Sequence, residues 1–253
     1  MGVQAYIPKG TEDEDGDPDA NDVSHVFRKA GDLRPITLKN DDAKACNATI
    51  ARAYRPTMKA STSKFQRGFK PGAQITQNCV ELDLESRIHA IRCMSQRNAK
   101  SPETMLPGHS IAKISCLVLF DYAAAFPSVI HMWVRMVLHA VQAPTALIYA
   151  FEHIYFSNIA IMKANGTFME MFDVTRGVLQ GDPLSAMFFN LAIDPLLWAF
   201  SKIVINPGLG TILACADDIG AALQELNTLK AISKVFKTFQ RISGLGLKPS
   251  KCL

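Results

Sequence analysis

The alternation of apolar and polar positions divides the chain into short strands and longer amphipathic helices. "QAYIPKG" and "SHVFRKAGDLRPITL" predict two extended segments on either side of a polar stretch. "DDAKACNATIARAY" sets Cys46, Ile50 and Tyr54 at helical spacing, with Asp41 or Asp42 as N-cap and Pro56 as the stop. A second helix is expected from about Thr76 to Cys93, its apolar stripe made by Val80, Leu84, Ile88 and Ile91. A polar connection containing Pro and Gly, "MSQRNAKSPETMLPGHS", leads to "ISCLVLF", which reads as a central strand running directly into Asp121. From Ser128 onward, Ile130, Trp133, Val134, Val137, Leu138 and Val141 repeat as one helix face. "ANGTFMEMFDVTRG" predicts a hairpin turning at Asn165 and Gly166. Gly177 and Gly181 then bracket a loop. Asp182 and Pro183 supply a cap and first turn for the helix in "LSAMFFNLAID", which Pro195 should kink or end. Last, "ILACADDIGAAL" reads as two buried strands parted by Asp217 and Asp218.

Composition limits what this pattern can be. With 253 residues, 48% of them apolar, the chain can bury a real core, as one large domain or two small ones. Acids break its apolar stretches before they reach the roughly 18 to 20 residues that cross a bilayer. The N-terminus lacks a signal-peptide apolar region, and Tyr6 stands where a myristoylation signal requires Ser or Thr. The expectation is an intracellular chain with no signal peptide or transmembrane segment, nucleus and cytoplasm not being distinguished. Six cysteines fall in no Cys-x-x-Cys pair, which argues against a zinc site or a disulfide framework and makes most of them small buried hydrophobes. Net charge is +4, but residues 11–22 carry seven acids and no base, so the other 241 residues hold 27 basic against 16 acidic side chains. The acidic run reads as a solvated loop, and the basic remainder suits a polyanion.

The candidate chemistry lies in the acids that end apolar strands: Asp121 after "CLVLF", and Asp217 with Asp218 after "ILACA". Neighbouring carboxylates repel, and apolar surroundings strip them of water, so positive charge is needed beside them. If the two strands share a sheet, the acids converge at one edge. Magnesium fits that edge because it takes few protein carboxylates and leaves positions for water and phosphate oxygens. Two such ions about 3.5 to 4 Å apart activate a hydroxyl and hold a leaving pyrophosphate, which makes phosphoryl or nucleotidyl transfer the reaction class. A P-loop nucleotide hydrolase would also place acids after a strand, but G-x-x-x-x-G-K-[ST] is absent.

In order along the chain, "LVLFDYAAAFPSV", "RGVLQGDPLSAMFFN", "ACADDI" and "SGLGLKPSKC" resemble the palm motifs of reverse transcriptases of the non-LTR, LINE-type retrotransposons. "YIPKG", "DLRPITL" and "FQRGFKPGAQITQN" resemble the fingers motifs of the same group. The resemblance spans nearly the whole chain. It implies an α+β right-hand polymerase: fingers over 1–112 with the acidic loop 11–22, and a palm over 113–253 whose antiparallel sheet has helices packed on one face. By match to the motifs, Asp121, Asp217 and Asp218 are the catalytic and metal-binding acids, the Tyr122 carbonyl serves the second ion, and Lys251 is the general acid to pyrophosphate. Phe126 falls where the family sets an aromatic against the sugar, Gln180 and Gly181 where it touches base pair and template, and Lys9 and Arg34 where it grips the triphosphate. The implied cofactor is a pair of Mg2+ ions, with Mn2+ as a substitute. The implied partners are an RNA template, a DNA primer and dNTP, with no membrane.

Three positions depart from the family pattern: Cys215 stands where Tyr or Phe is usual, Ala73 where arginine is common, and Lys248 where asparagine is usual. The chain stops at Leu253, so the expectation includes no thumb. The alternative is a catalytically inactive, truncated retroelement remnant that at most binds nucleic acid.

Overall fold

The computed structural model describes residues 3–8, 33–38, 40–98, 114–164 and 167–253. Strands β1 (Val3–Pro8) and β2 (Leu33–Leu38) form an antiparallel ribbon in which Ile7 pairs with Arg34. Helices α1 (Asp41–Ser61) and α2 (Ile75–Asn98) follow, then β3 (Cys116–Phe120), the short α3 (Ala125–Ser128), α4 (His131–Ala140) and α5 (Thr145–Tyr155). The hairpin β4 (Ile159–Ala164) and β5 (Thr167–Asp173) has the expected register, with Ala164 opposite Thr167; its two turn residues lie outside the described ones. Helix α6 (Ser185–Phe200) runs into a π-helical turn at Ser201–Ile205, and β6 (Gly210–Cys215), β7 (Asp218–Leu223) and α7 (Leu229–Ser243) complete the order.

The central sheet is antiparallel with order β3-β7-β6. This reverses one expectation, because β3 is the outer strand and β7 the middle one. Leu117 and Leu119 of β3 remain nearly half exposed, whereas every residue of β7 after Asp218 is buried. The composition of "DIGAAL" explains it: a middle strand covered on both sides needs small side chains. Gly220 leaves room for Leu82 of α2, which a Cβ there would strike. Both outer edges are partly covered by other chain segments. On β6, the Arg67 amide donates to the Ala214 carbonyl and the Ala214 amide to Phe65, each at 2.8 Å. On β3, Leu253 exchanges two backbone hydrogen bonds with Leu119.

Alternation along the strands sorts the sheet into two faces. Phe120, Ile219 and Ala214 form one cross-strand row, and that side meets α7, where the Phe120 and Phe236 rings lie 5.0 Å apart. Leu119, Gly220 and Leu213 form the next row, on the side of α2. The helices therefore flank both faces, not one, because α2 from the amino-terminal half lies across the sheet. The core is densest around α6, where Leu184, Phe188, Phe189, Ala192, Ile193 and Phe200 are wholly excluded from solvent. By length and composition the helical stretch Ser185–Ile205 is apolar enough to cross a membrane, which the expectation that acids break every such run did not foresee, but 67% of its most apolar 18-residue window is buried inside the fold.

Other expectations shift for local reasons. Pro56 does not end α1: the helix continues through it to Ser61, burying Met58 and closing where Thr62 bonds back to the Met58 carbonyl. Pro195 likewise sits inside α6, where the Trp133 indole donates to the nearby Ala192 carbonyl at 2.8 Å. Asp182 and Pro183 lie ahead of the helix, which starts at Ser185 with Leu184 in the capping position; the Asp182 Oδ1 instead accepts from the Leu184 amide at 2.9 Å in the turn that leads in. On α2 the apolar stripe is not the packed face: Val80, Leu84 and Ile91 are more than half exposed, and Asn78, Leu82 and His89 are buried instead. The cysteines are not buried either, since Cys46 and Cys79 are exposed and the other four half-buried.

Candidate active site

The register of β3 on β7 assembles the acids. Phe120 pairs with Ile219 and Cys215 with Asp218, so one step beyond Phe120 Asp121 comes opposite Asp218, on the α2 side of the sheet. Asp217 occupies the two-residue turn between β6 and β7, after Ala216, whose φ is +56°. A left-handed alanine at the first turn position is a strained choice, costing about 1 to 2 kcal/mol, because this hairpin geometry suits glycine there. Gln66 meets that strain: its amide, 1% exposed, accepts from the Ala216 amide at 2.8 Å and donates to the Ala216 carbonyl at 3.1 Å.

The acids sense one another. Burial pushes the Asp217 carboxyl above its ordinary range, and the like charges of Asp218 and Asp121 add to the rise against a backbone hydrogen bond that lowers it. The same pair, Asp217 and Asp218, helps burial hold up the Cys215 thiol. Among the described residues Lys251 brings a cation to them, its Nζ 3.6 Å from Asp121 Oδ2. Lys251 gets there because the C-terminal segment runs beside the end of β3: the Lys248 amide donates to the Asp121 carbonyl and the Ala123 amide to the Gly246 carbonyl. In that ladder Tyr122 faces Leu247 as a non-hydrogen-bonded pair, which leaves its own carbonyl turned away from the C-terminal segment. Among the described residues, no three His, Cys, Asp or Glu side chains stand together as a ready metal cage.

Asp121, Asp218 and Lys251 line the rim of a cavity of about 470 Å³ between the sheet and α2, floored by Leu82, Leu119 and Gly220. The Tyr122 side chain points elsewhere, into the core beside Phe236, its hydroxyl without a hydrogen-bond partner among the described residues; burial first and the Asp217 charge second hold its phenol well above the usual range. Phe126 is half-buried and stacks on Phe189, centroids 4.4 Å apart and planes within 9°. Its carbonyl accepts from the Val178 amide at 2.8 Å, tying it to the loop that carries Gln180 and Gly181. That loop is also fastened by Tyr155, whose hydroxyl accepts from the Leu179 amide, and Gly181 is exposed with φ +96°. Arg34 lies on β2, and Lys9 lies outside the described residues. The structure thus brings Asp121, Asp217, Asp218 and Lys251 to one strand end, and joins Phe126 to the Gln180 loop.

Sequence reasoning missed the segment 62–70, which fastens the amino-terminal half to this centre. Besides Gln66, the Ser63 amide donates to Asp194 at 2.7 Å, Lys70 donates to the Ser63 carbonyl at 2.8 Å, and Asn190 donates to the Gly68 carbonyl at 2.7 Å. The available signal was a lone glutamine between Phe65 and Gly68 in a stretch read only as a motif.

The model of the family described as reverse transcriptase (RNA-dependent DNA polymerase) matches residues 18–253. The chain belongs to the reverse transcriptase family. Among curated relatives of this reverse transcriptase domain, the Retrovirus-related Pol polyprotein from type-2 retrotransposable element R2DM of Drosophila melanogaster is 26% identical over 89% of the chain. The Transposon TX1 uncharacterized 149 kDa protein of Xenopus laevis is 25% identical over 90%. The chain spans only 20% and 17% of their lengths. Solved telomerase structures from Candida tropicalis share the fold: the apo form truncated from its C-terminal domain at TM-score 0.58 and 12% identity over 83% of the chain and 40% of that telomerase chain, and the complex with a telomeric RNA fragment at 0.60 and 12% over 89% and 39%.

Proposed function

We propose that this reverse transcriptase domain is the RNA-directed DNA polymerase core of a LINE-type retroelement, adding dNTP to a primer 3′-hydroxyl on an RNA template. The observation that carries the reading is the strand register that sets Asp121 opposite Asp218, beside Asp217 in its turn and with Lys251 at 3.6 Å. Motif content keeps the division into fingers over 1–112 and palm over 113–253, although α2 packs with the palm sheet.

The donor set suits Mg2+: Asp121 and Asp218 face each other across the strands, and the Asp217 carboxyl is raised by burial first and by the like charges of Asp218 and Asp121, so a cation there relieves both. When bound through Asp121, Asp217 and the Tyr122 carbonyl, with Asp218 beside them, two such ions supply Lewis-acid charge that activates the hydroxyl and stabilises the leaving pyrophosphate. Mn2+ has the same preferences. The chain's own groups do the remainder. The primer 3′-hydroxyl gives its proton to solvent as its oxygen attacks the α-phosphate, the bond from the α-phosphorus to the α,β-bridging oxygen breaks, and Lys251 delivers a proton to the departing pyrophosphate. Phe126, backed by Phe189, stands against the sugar and leaves no room for a 2′-hydroxyl. Gln180 and Gly181 meet the base pair and template, and Lys9 with Arg34 neutralises the triphosphate.

Primer extension on an RNA template with dNTP and magnesium tests the reading, the chain being compared with Asp217→Asn. The expected result is extension by the parent and a loss of at least about 10³-fold in the variant, at the upper end of what removing one preorganised electrostatic group costs. Equal signal from both would leave nucleic-acid binding as the chain's role.

A further inference from the structure

We propose that Gln66 is a positioning residue for the catalytic hairpin: its side-chain amide holds Ala216 in the left-handed conformation that aims Asp217 at the reaction centre. The inference rests on the polymerase reading of Asp217 and goes beyond it, because Gln66 touches neither metal nor nucleotide in that reading.

The hold is built from complementary groups. Ala216 presents a buried N–H and a buried C=O, and neither is taken up by the β6–β7 ladder, which ends at Cys215 and Asp218. A primary amide offers one acceptor and one donor side by side, and Gln66 uses them on these two groups, at 2.8 Å and 3.1 Å. The same Oε1 also accepts from the Gly68 amide at 2.7 Å, which fixes the rotamer of the glutamine itself. Backbone bonds on either side of Gln66, Ala214 to Phe65 and Arg67 to Ala214, place the residue in register with the strand that leads into the turn. Gly68 completes the contact: a Cβ there would collide with the Ala216 nitrogen, so the two backbones meet with nothing between them.

No other side chain reproduces this pairing. Glutamate keeps an acceptor but sets a carboxylate oxygen against the Ala216 carbonyl. Methionine fills the space and leaves both backbone groups buried without partners. In either case a left-handed alanine has lost what kept it there, and the turn relaxes toward conformations that redirect Asp217. A misplacement of about 1 Å at a reacting centre costs about 10²-fold in rate.

The test uses the full 253-residue chain with Gln66→Met, Gln66→Glu, Ala216→Gly and the double variant Gln66→Met/Ala216→Gly. Gln66→Met should lower kcat about 10²-fold while KM for dNTP and the affinity for template-primer, read by fluorescence anisotropy, stay within about twofold. Glycine adopts positive φ without support, so Ala216→Gly should return at least about tenfold of the lost rate in the double variant. Gln66→Glu should be no better than Gln66→Met. An activity-independent arm follows amide hydrogen exchange: in Gln66→Met the Ala216 amide should lose protection while that of Ala221 in the middle of β7 keeps it. Unchanged Ala216 protection in a folded Gln66→Met chain overturns the proposal, as does a loss of kcat that Ala216→Gly leaves untouched. A parent chain that extends no primer would instead defeat the polymerase reading, and the exchange arm would still decide whether Gln66 holds the turn.

Discussion

The two faces of one three-stranded sheet have opposite characters. Against α6 and α7 the sheet is dry and close-packed: the Phe236 ring lies 5.0 Å from both Phe120 and Phe200, and Ile219 and Ala221 are buried. Against α2 it is half open, with Leu117 and Leu119 nearly half exposed and a cavity rimmed by Asp121, Asp218 and Lys251. The sheet spends its hydrophobic burial on one side, which frees the other to carry charge and space. A polymerase needs that division, because acids buried on the packed side would have neither water nor substrate near them.

Four measurements would break or sharpen the contrast, from the largest effect to the smallest. Phe236→Ala, on the packed face, should cost about 4 kcal/mol of unfolding free energy in denaturant titration, since it empties the meeting point of three rings. Lys251→Ala, on the open face, should lower kcat about 10²-fold in primer extension and barely move the melting temperature, because the lysine is mostly exposed.

The third measurement concerns Asp217. Its carboxyl is raised in the fold, so between its ordinary pKa near 3.8 and its folded value the native state holds more protons than the unfolded one. Stability falls as pH rises through that window, and the penalty is complete above it. Asp217→Asn should therefore melt higher than the parent at pH 7 without divalent metal, with the difference gone at pH 3. Millimolar magnesium should raise the parent's melting temperature and not the variant's. The smallest effect belongs to Leu119→Ser, expected below about 1 kcal/mol because the side chain is already nearly half in water. If Leu119→Ser proved as damaging as Phe236→Ala, the two faces would not differ as described.

Much of the site was legible in one dimension because its residues end strongly patterned elements. "CLVLF" announced β3 and the acid after it, and "ILACADDIGAAL" announced two strands parted by the acids, although the turn itself takes Ala216 and Asp217 and leaves Asp218 as the first residue of β7. Position in the sheet was not legible: "CLVLF" is the more apolar strand and yet lies at the edge, since a middle strand between two helical layers selects small residues such as Gly220 and Ala222. On α2 the apolar stripe Val80, Leu84 and Ile91 misled for a related reason. The face that packs is the one whose Leu82 fills the space over Gly220.

The sequence by itself determined the elements, the acids and their order, because hydrophobic period and turn chemistry act between residues a few positions apart. Only the tertiary structure decided which acids face each other, which face of the sheet stays open, and what holds the turn at Ala216. Those depend on strand register and on partners such as Gln66, 150 residues away along the chain, whose hydrogen bonds exist only once the backbone has closed around them.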